Sequence, residues 1–132
     1  MEQRFFNVAW SDWSESFLRV VAPEEIPSLI EALDAEVSPP AMVLIWEVGS
    51  ERELGVGLGR ERTVLTYQES TDPPYFISQG DSEEKGVEWF CFGTQENEYL
   101  ASNLVAKSKI VPTLNSFLNG EKRLRGIKWE ML

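Results

Sequence analysis

The sequence predicts an α+β fold: an antiparallel sheet of about six strands with two helices packed on one face. Three observations lead there. Two segments, residues 23–36 and 108–119, repeat apolar residues at helical spacing. Around them lie short runs rich in β-branched and aromatic residues, each closed by Gly, Pro, Asn or Asp. One of these runs, Leu54-Gly-Val-Gly-Leu-Gly59, alternates a large side chain with none at all, the pattern of a strand with one bare face.

Taken in chain order, residues 4–10 (Arg-Phe-Phe-Asn-Val-Ala-Trp) read as a strand. Residues 17–21 (Phe-Leu-Arg-Val-Val) are ambiguous between strand and loop. In residues 23–36, Ile26, Leu29, Ile30 and Leu33 form one apolar stripe, opposite Glu24, Glu25, Glu31 and Asp34. Pro23 and Pro27 fit only a first turn, so the helix proper is expected to begin near Pro27; Ser38-Pro39-Pro40 ends it. Residues 42–48 are nearly all apolar and short enough for a buried central strand. The glycine strand follows, and Thr63-Val-Leu-Thr-Tyr67 returns from it, so these three strands are expected to form an antiparallel meander.

Residues 75–77 and 87–92 are further short strands, separated by the polar loop 80–86. Residues 93–98 read as a turn, and 99–105 carry no clear pattern. Ser108 is placed to cap the second helix, whose stripe is Ile110, Val111, Leu114, Phe117 and Leu118. Gly120 is the expected left-handed stop, and residues 127–129 the last strand, with the Trp129 ring expected on the second helix.

With 132 residues, 42% of them apolar, the chain is expected to build one core and one domain, residues 1–132. No window reaches the roughly 18 apolar residues of a membrane helix. The first twenty residues carry Glu2, Arg4, Asp12, Glu15 and Arg19, so no signal-peptide core is expected. Cys91 is the single cysteine, which fits a reducing compartment; a cytoplasmic location is the expectation.

The residue types for most chemistry are missing. There is no histidine, hence no histidine-based triad or zinc site. Cys91, within Trp-Phe-Cys-Phe, has no partner base and reads as a packed thiol. The glycine run lacks the spacing of a dinucleotide fingerprint and leads into another strand; the absent Cβ atoms are better explained by a helix or an aromatic ring lying flat on it. Paired carboxylates such as Glu24/Glu25 or Glu83/Glu84 point apart as neighbours, so a carboxylate hydrolase is a minor alternative. No cofactor or metal is expected.

Charge carries more information. The chain has 12 basic and 22 acidic residues, net −10. Residues 69–98 hold eight acids (Glu69, Asp72, Asp81, Glu83, Glu84, Glu88, Glu96 and Glu98) against Lys85 alone, interleaved with Tyr75, Phe76, Trp89 and Phe92. Residues 105–132 hold six bases and two acids; Arg123, Arg125 and Lys128 read as a solvated rim. Such an excess of acid repels nucleic acid and anionic membrane and speeds encounter with basic partners.

The glycine strand with its hairpin return, the Val105-led helix to Asn119, and the closing segment from Gly120 through Ile127-Lys-Trp-Glu130 resemble the first-numbered family of immunity proteins from bacterial polymorphic toxin systems. The resemblance covers about residues 26–130. It departs at the closing turn, where family members often have proline after the Arg and this chain has Leu124-Arg125. It implies an inhibitor, with no catalytic residues, that neutralises a secreted toxin, often a nucleic-acid deaminase or nuclease. Together with the acidic block it places the expected interface at Asp72, Tyr75, Asp81, Glu83, Glu84 and Glu88, with Glu47, Glu53 and Glu61 as second choices. The expected partner is a basic toxin domain, and the free protein a monomer or weak homodimer. The alternative in a different class is an acidic adaptor or chaperone for a secreted effector.

Overall fold

A computed structural model describes residues 3–80 and 83–132. The elements are β1 (Phe6–Ser11), β2 (Ser16–Val21), α1 (Ile26–Glu36), β3 (Ala41–Glu47), β4 (Glu53–Leu58), β5 (Arg62–Thr63), β6 (Leu65–Gln68), β7 (Tyr75–Gln79), β8 (Val87–Phe92), β9 (Gln95–Leu100), β10 (Val105–Ala106), α2 (Ile110–Leu118) and β11 (Lys128–Met131). The fold is α+β. Seven strands run in the order β11-β7-β6-β4-β3-β1-β2, all neighbours antiparallel. The β8–β9 hairpin joins β3 from the side to make a nine-stranded sheet, and β5 pairs β10 in a separate ribbon.

The meander is present as β3-β4-β6-β7, but its return is broken at Val64. The Val64 carbonyl accepts the Gly57 N–H and the Thr63 hydroxyl donates to the Gly57 carbonyl, so the two halves, β5 and β6, enter different sheets. The ambiguous residues 17–21 lie in the edge strand β2.

The described residues form eleven strands rather than about six, the additions including β2, β10, the division of residues 63–67 into β5 and β6, and β9 at residues 95–100. The composition of β9, Gln-Glu-Asn-Glu-Tyr-Leu, disfavours a strand; pairing with β8 in full register imposes it. The connection is two residues long. Gly93 and Thr94 both have positive φ, +58° and +66°, as a type I′ hairpin turn requires.

One face of the main sheet carries Phe6, Val8, Val43, Ile45, Leu54, Val56, Leu58, Leu65 and Tyr67, and against it lie Ile26, Ile30 and Leu33 of α1 and Leu114, Phe117 and Leu118 of α2. Both apolar stripes thus meet the same face except at Val111, which was expected in the α2 stripe but is 54% exposed, while Thr113 is buried instead. A lysine on the approach to α2 fastens the helices together: Lys107 Nζ is 2.7 Å from the Asp34 carboxylate on α1, which also accepts the Gly59 N–H.

Helix α2 ends as its glycine predicts. Gly120 has φ +76°, and the Gly120 and Glu121 amides donate to the Phe117 and Ser116 carbonyls, a Schellman closure. Its start differs. The chain enters through a single 3-10 turn, Lys107–Lys109, so the capping position falls on Lys109, and Ser108 is exposed with no cap bond. Trp129 reaches α2 through Tyr67: its ring centroid is 5.9 Å from that of Tyr67, which meets Phe117 edge-on.

The other face of the sheet bears the glycines. A Cβ at Gly57 would stand 2.9 Å from the Phe90 ring, so an aromatic ring does lie on the bare face. Phe90 belongs to a smaller buried cluster with Met42, Val64, Ile77, Ala101 and Leu104. Among the described residues, no helix is long and apolar enough to cross a membrane.

Candidate protein-interaction surface

The β8–β9 hairpin stands apart from the main sheet. Its link to β3 is one parallel pairing, Ala41 with Cys91, reinforced by the Cys91 N–H donating to the Pro40 carbonyl at 2.7 Å. Its inner side is apolar: Phe90 is fully buried and Tyr99, half-buried, meets it edge-on at 6.0 Å. Two arginines from the β4–β6 connection fix the rest. Arg60 Nε donates to the Trp89 carbonyl at 2.8 Å and its guanidinium lies 4.8 Å from the Trp89 ring centroid. Arg62 pairs with Glu84 at 2.8 Å, and both arginines lie 3.9 Å from Glu88.

The outer side follows from the register. Val87 with Leu100, Trp89 with Glu98, and Cys91 with Glu96 are cross-strand pairs, and alternation places all six residues opposite Phe90. The β1–β2 turn covers the Cys91 end, where Trp13 meets Trp89 at 5.4 Å. Burial, with the Asp12 carboxylate adding to it, pushes the Cys91 thiol pKa up, so this thiol is a packed neutral group. Asp12 accepts the Ser14 and Glu15 amides, which hold its carboxyl below its ordinary range and keep it ionised.

What remains uncovered is Trp13, Val87 and Leu100, each about half exposed, flanked by the exposed carboxylates of Glu96 and Glu98. From residue 86 to 104 the sequence contains no Lys or Arg. An apolar centre with an acidic surround suits a basic protein surface.

The residues expected from the sequence fall in two separate places. Glu83 and Glu84 lead into β8, and Glu88 lies within it on the Phe90 side; Glu83 is exposed, while Glu84 and Glu88 are engaged by the two arginines. Asp72 and Tyr75 lie at the opposite end of β7, where the Asp72 amide is held by the Ser70 hydroxyl and the Tyr75 hydroxyl donates to the Thr71 carbonyl. Asp81 lies outside the described residues. Of the second choices, Glu47 is paired with Arg4 at 3.0 Å, Glu53 is half-buried on the sheet, and Glu61 is exposed in the turn after β4.

Glu96, Glu98, Val87, Leu100 and Trp13 were not among the residues expected. Both glutamates belong to the acidic block, but the alternation that places them beside Trp89 exists only if residues 95–100 are a strand. No protein-family model matches this chain, and no curated protein sequence is significantly similar to it.

Proposed function

We propose that this protein is a cytoplasmic immunity protein, an inhibitor that docks on a basic bacterial toxin acting on nucleic acid, of the deaminase or nuclease kind, and covers its active site. The observation that carries the proposal is the outer face of the β8–β9 hairpin, where exposed apolar and aromatic side chains sit beside Glu96 and Glu98; the hairpin strands themselves carry no Lys or Arg, and Arg60 lies against the Trp89 ring. The resemblance of the glycine strand and closing segment to an immunity family supports the same class.

The physics is that of a substrate mimic. An enzyme that holds nucleic acid presents cations where phosphates lie. Glu96 and Glu98 offer carboxylates to those cations, which raises the association rate and selects the partner, while Trp13, Val87 and Leu100 supply most of the binding energy. The hairpin is fixed in advance by Phe90, Arg60 and Arg62, so little order has to be imposed on binding. No step of covalent chemistry and no cofactor is required.

The test uses the Glu96→Lys/Glu98→Lys double variant and a basic toxin domain that the unaltered protein binds and silences; finding none overturns the proposal. Both substituted side chains are exposed, so the thermal midpoint should be nearly unchanged. The association rate at low ionic strength should fall by about tenfold or more, and co-expressed cells should lose protection. An unaltered rate removes the hairpin from the interface. Binding that leaves the toxin active in cells makes the protein an adaptor for an effector instead.

A further inference from the structure

The helix-covered face of the sheet ends, on its β11 side, in an open pocket of about 740 Å³ between β6, β7, β11 and the 121–127 segment. Its base is aromatic. Tyr67 contacts Phe76 at 6.3 Å between ring centroids and Trp129 at 5.9 Å, the former pair near parallel at 28°. Its rim is cationic: Lys122, Arg123 and Lys128 all line it. Among the described residues none of these three side chains makes an ion pair or a hydrogen bond, although the protein carries an excess of ten acids. Among the described residues Glu69 is the one carboxylate of the lining.

The base is held rigidly. Arg52 Nε donates to the Tyr67 hydroxyl at 2.9 Å, and its guanidinium stands 4.4 Å from the Phe117 ring centroid. The same guanidinium donates to the Phe117 carbonyl at 2.8 Å and to the Glu121 carbonyl, which satisfies the negative end of α2 next to the pocket. The Trp129 indole N–H donates to the Leu124 carbonyl at 3.3 Å, fixing the third ring. The pocket therefore combines preset rings with a fourth cation behind them.

Each part of this arrangement narrows the ligand. Three cations without a partner among the described residues disfavour a cationic guest. Three rings would be idle against a bare inorganic anion. The volume lies in the range of about 300–1,000 Å³ usual for small-molecule sites. A nucleic-acid polymer would meet the acidic remainder of the surface, which repels it. We propose that this pocket binds a small organic anion built on a flat aromatic ring, such as a nucleoside monophosphate or an aryl carboxylate. The ligand's ring lies against Tyr67, Phe76 and Trp129, and its anionic group among Lys122, Arg123 and Lys128.

Titration calorimetry of the full chain tests this with two anions, AMP and indole-3-carboxylate, their neutral counterparts adenosine and indole, and inorganic phosphate. At least one anion should bind with Kd below about 1 mM. Its neutral counterpart and phosphate should each bind about tenfold more weakly or worse, and Arg123→Glu/Lys128→Glu should weaken the anion to a similar degree. Both substitutions are at exposed positions, so a folded variant is expected, checked by its far-ultraviolet spectrum. AMP alone identifies a nucleotide site, indole-3-carboxylate alone an aryl carboxylate site. Absence of binding by both anions, equal binding of the neutral partner, or full affinity in the charge-reversed variant overturns the proposal. The Glu96→Lys/Glu98→Lys variant should keep anion binding intact, so failure of the inhibitor reading and failure of the pocket are read separately.

Discussion

The two faces of the sheet are closed by different means. On one, the large side chains of β1, β3, β4 and β6 meet two helical stripes and are sealed from water. On the other, Gly57 leaves room for a buried ring, Phe90, and the hairpin that carries it is joined to β3 by one pairing. Beyond the hairpin this second face is open: Leu18 and Val20 of the edge strand β2, opposite Ala9 and Asn7, are 60% and 57% exposed. The difference teaches a division of labour. Stability is concentrated where helices cover the strands, and the thinly covered face is free to present side chains to another molecule.

The strongest way to break this comparison is to hollow each face in turn. Phe117 is 1% exposed and contacts Phe6 of β1 and Tyr67 of β6 by its ring. Phe117→Ala should cost about 3–5 kcal/mol, a large part of the roughly 5–15 kcal/mol that holds a domain together. Chemical denaturation measures it; should the alanine variant not fold, Phe117→Leu provides a milder version with the same sign. A loss below about 1 kcal/mol would mean that the helix-covered face does not dominate stability.

Gly57→Ala addresses the second face. The new methyl would stand 2.9 Å from the fully buried Phe90 ring, so the ring or the strand must shift. The expected cost is about 1–3 kcal/mol, less than that of Phe117→Ala. Amide exchange should rise more in β8 and β9 than in β1 and β3, because the hairpin is the part that gives way. Uniform acceleration across the sheet would show that the hairpin and the main sheet open as one unit.

Much of the first face was legible in the sequence, and less of the second. The stripes of α1 and α2, the central run 42–48 and the Gly120 stop are local signals with local causes, and the structure follows them except at Val111, which is exposed. The glycine strand implied an aromatic ring or a helix on its bare face, but the residue supplying the ring, Phe90, comes from more than thirty residues later. Strand β9 has no intrinsic preference for its state; its pairing with β8 creates it. The surface built on that pairing was therefore visible only as an excess of charge. Glu84 and Glu88 were legible as acids, but their arginine partners Arg60 and Arg62 lie in another turn of the chain. The aromatic base of the 740 Å³ pocket is likewise assembled across β6, β7 and β11.

The smallest expected effect uses one carboxylate from each face. Glu47 lies opposite Phe6 on the helix-covered side, and Glu53 opposite Trp46 on the other. The Arg4 hydrogen bond holds the Glu47 carboxyl below its ordinary range, whereas burial pushes that of Glu53 up. The signs are opposite. Stability from Glu47 is present above the unfolded pKa and fades as pH falls through the lower folded value. For Glu53 the contribution is present below the unfolded pKa and is lost as pH rises through the higher folded value. At neutral pH, Glu47→Gln should thus cost about 0.5 kcal/mol, kept small by solvent screening. Glu53→Gln should stabilise by about 0.5 kcal/mol, since an amide carries no charge to desolvate. In urea titrations the Glu53 difference should shrink as pH falls through the ordinary glutamate range, and the Glu47 difference only as pH falls further, through its lower folded value. A destabilising Glu53→Gln at neutral pH would mean that the ionised carboxylate is favoured on the second face, and that this face is more polar than its buried ring implies.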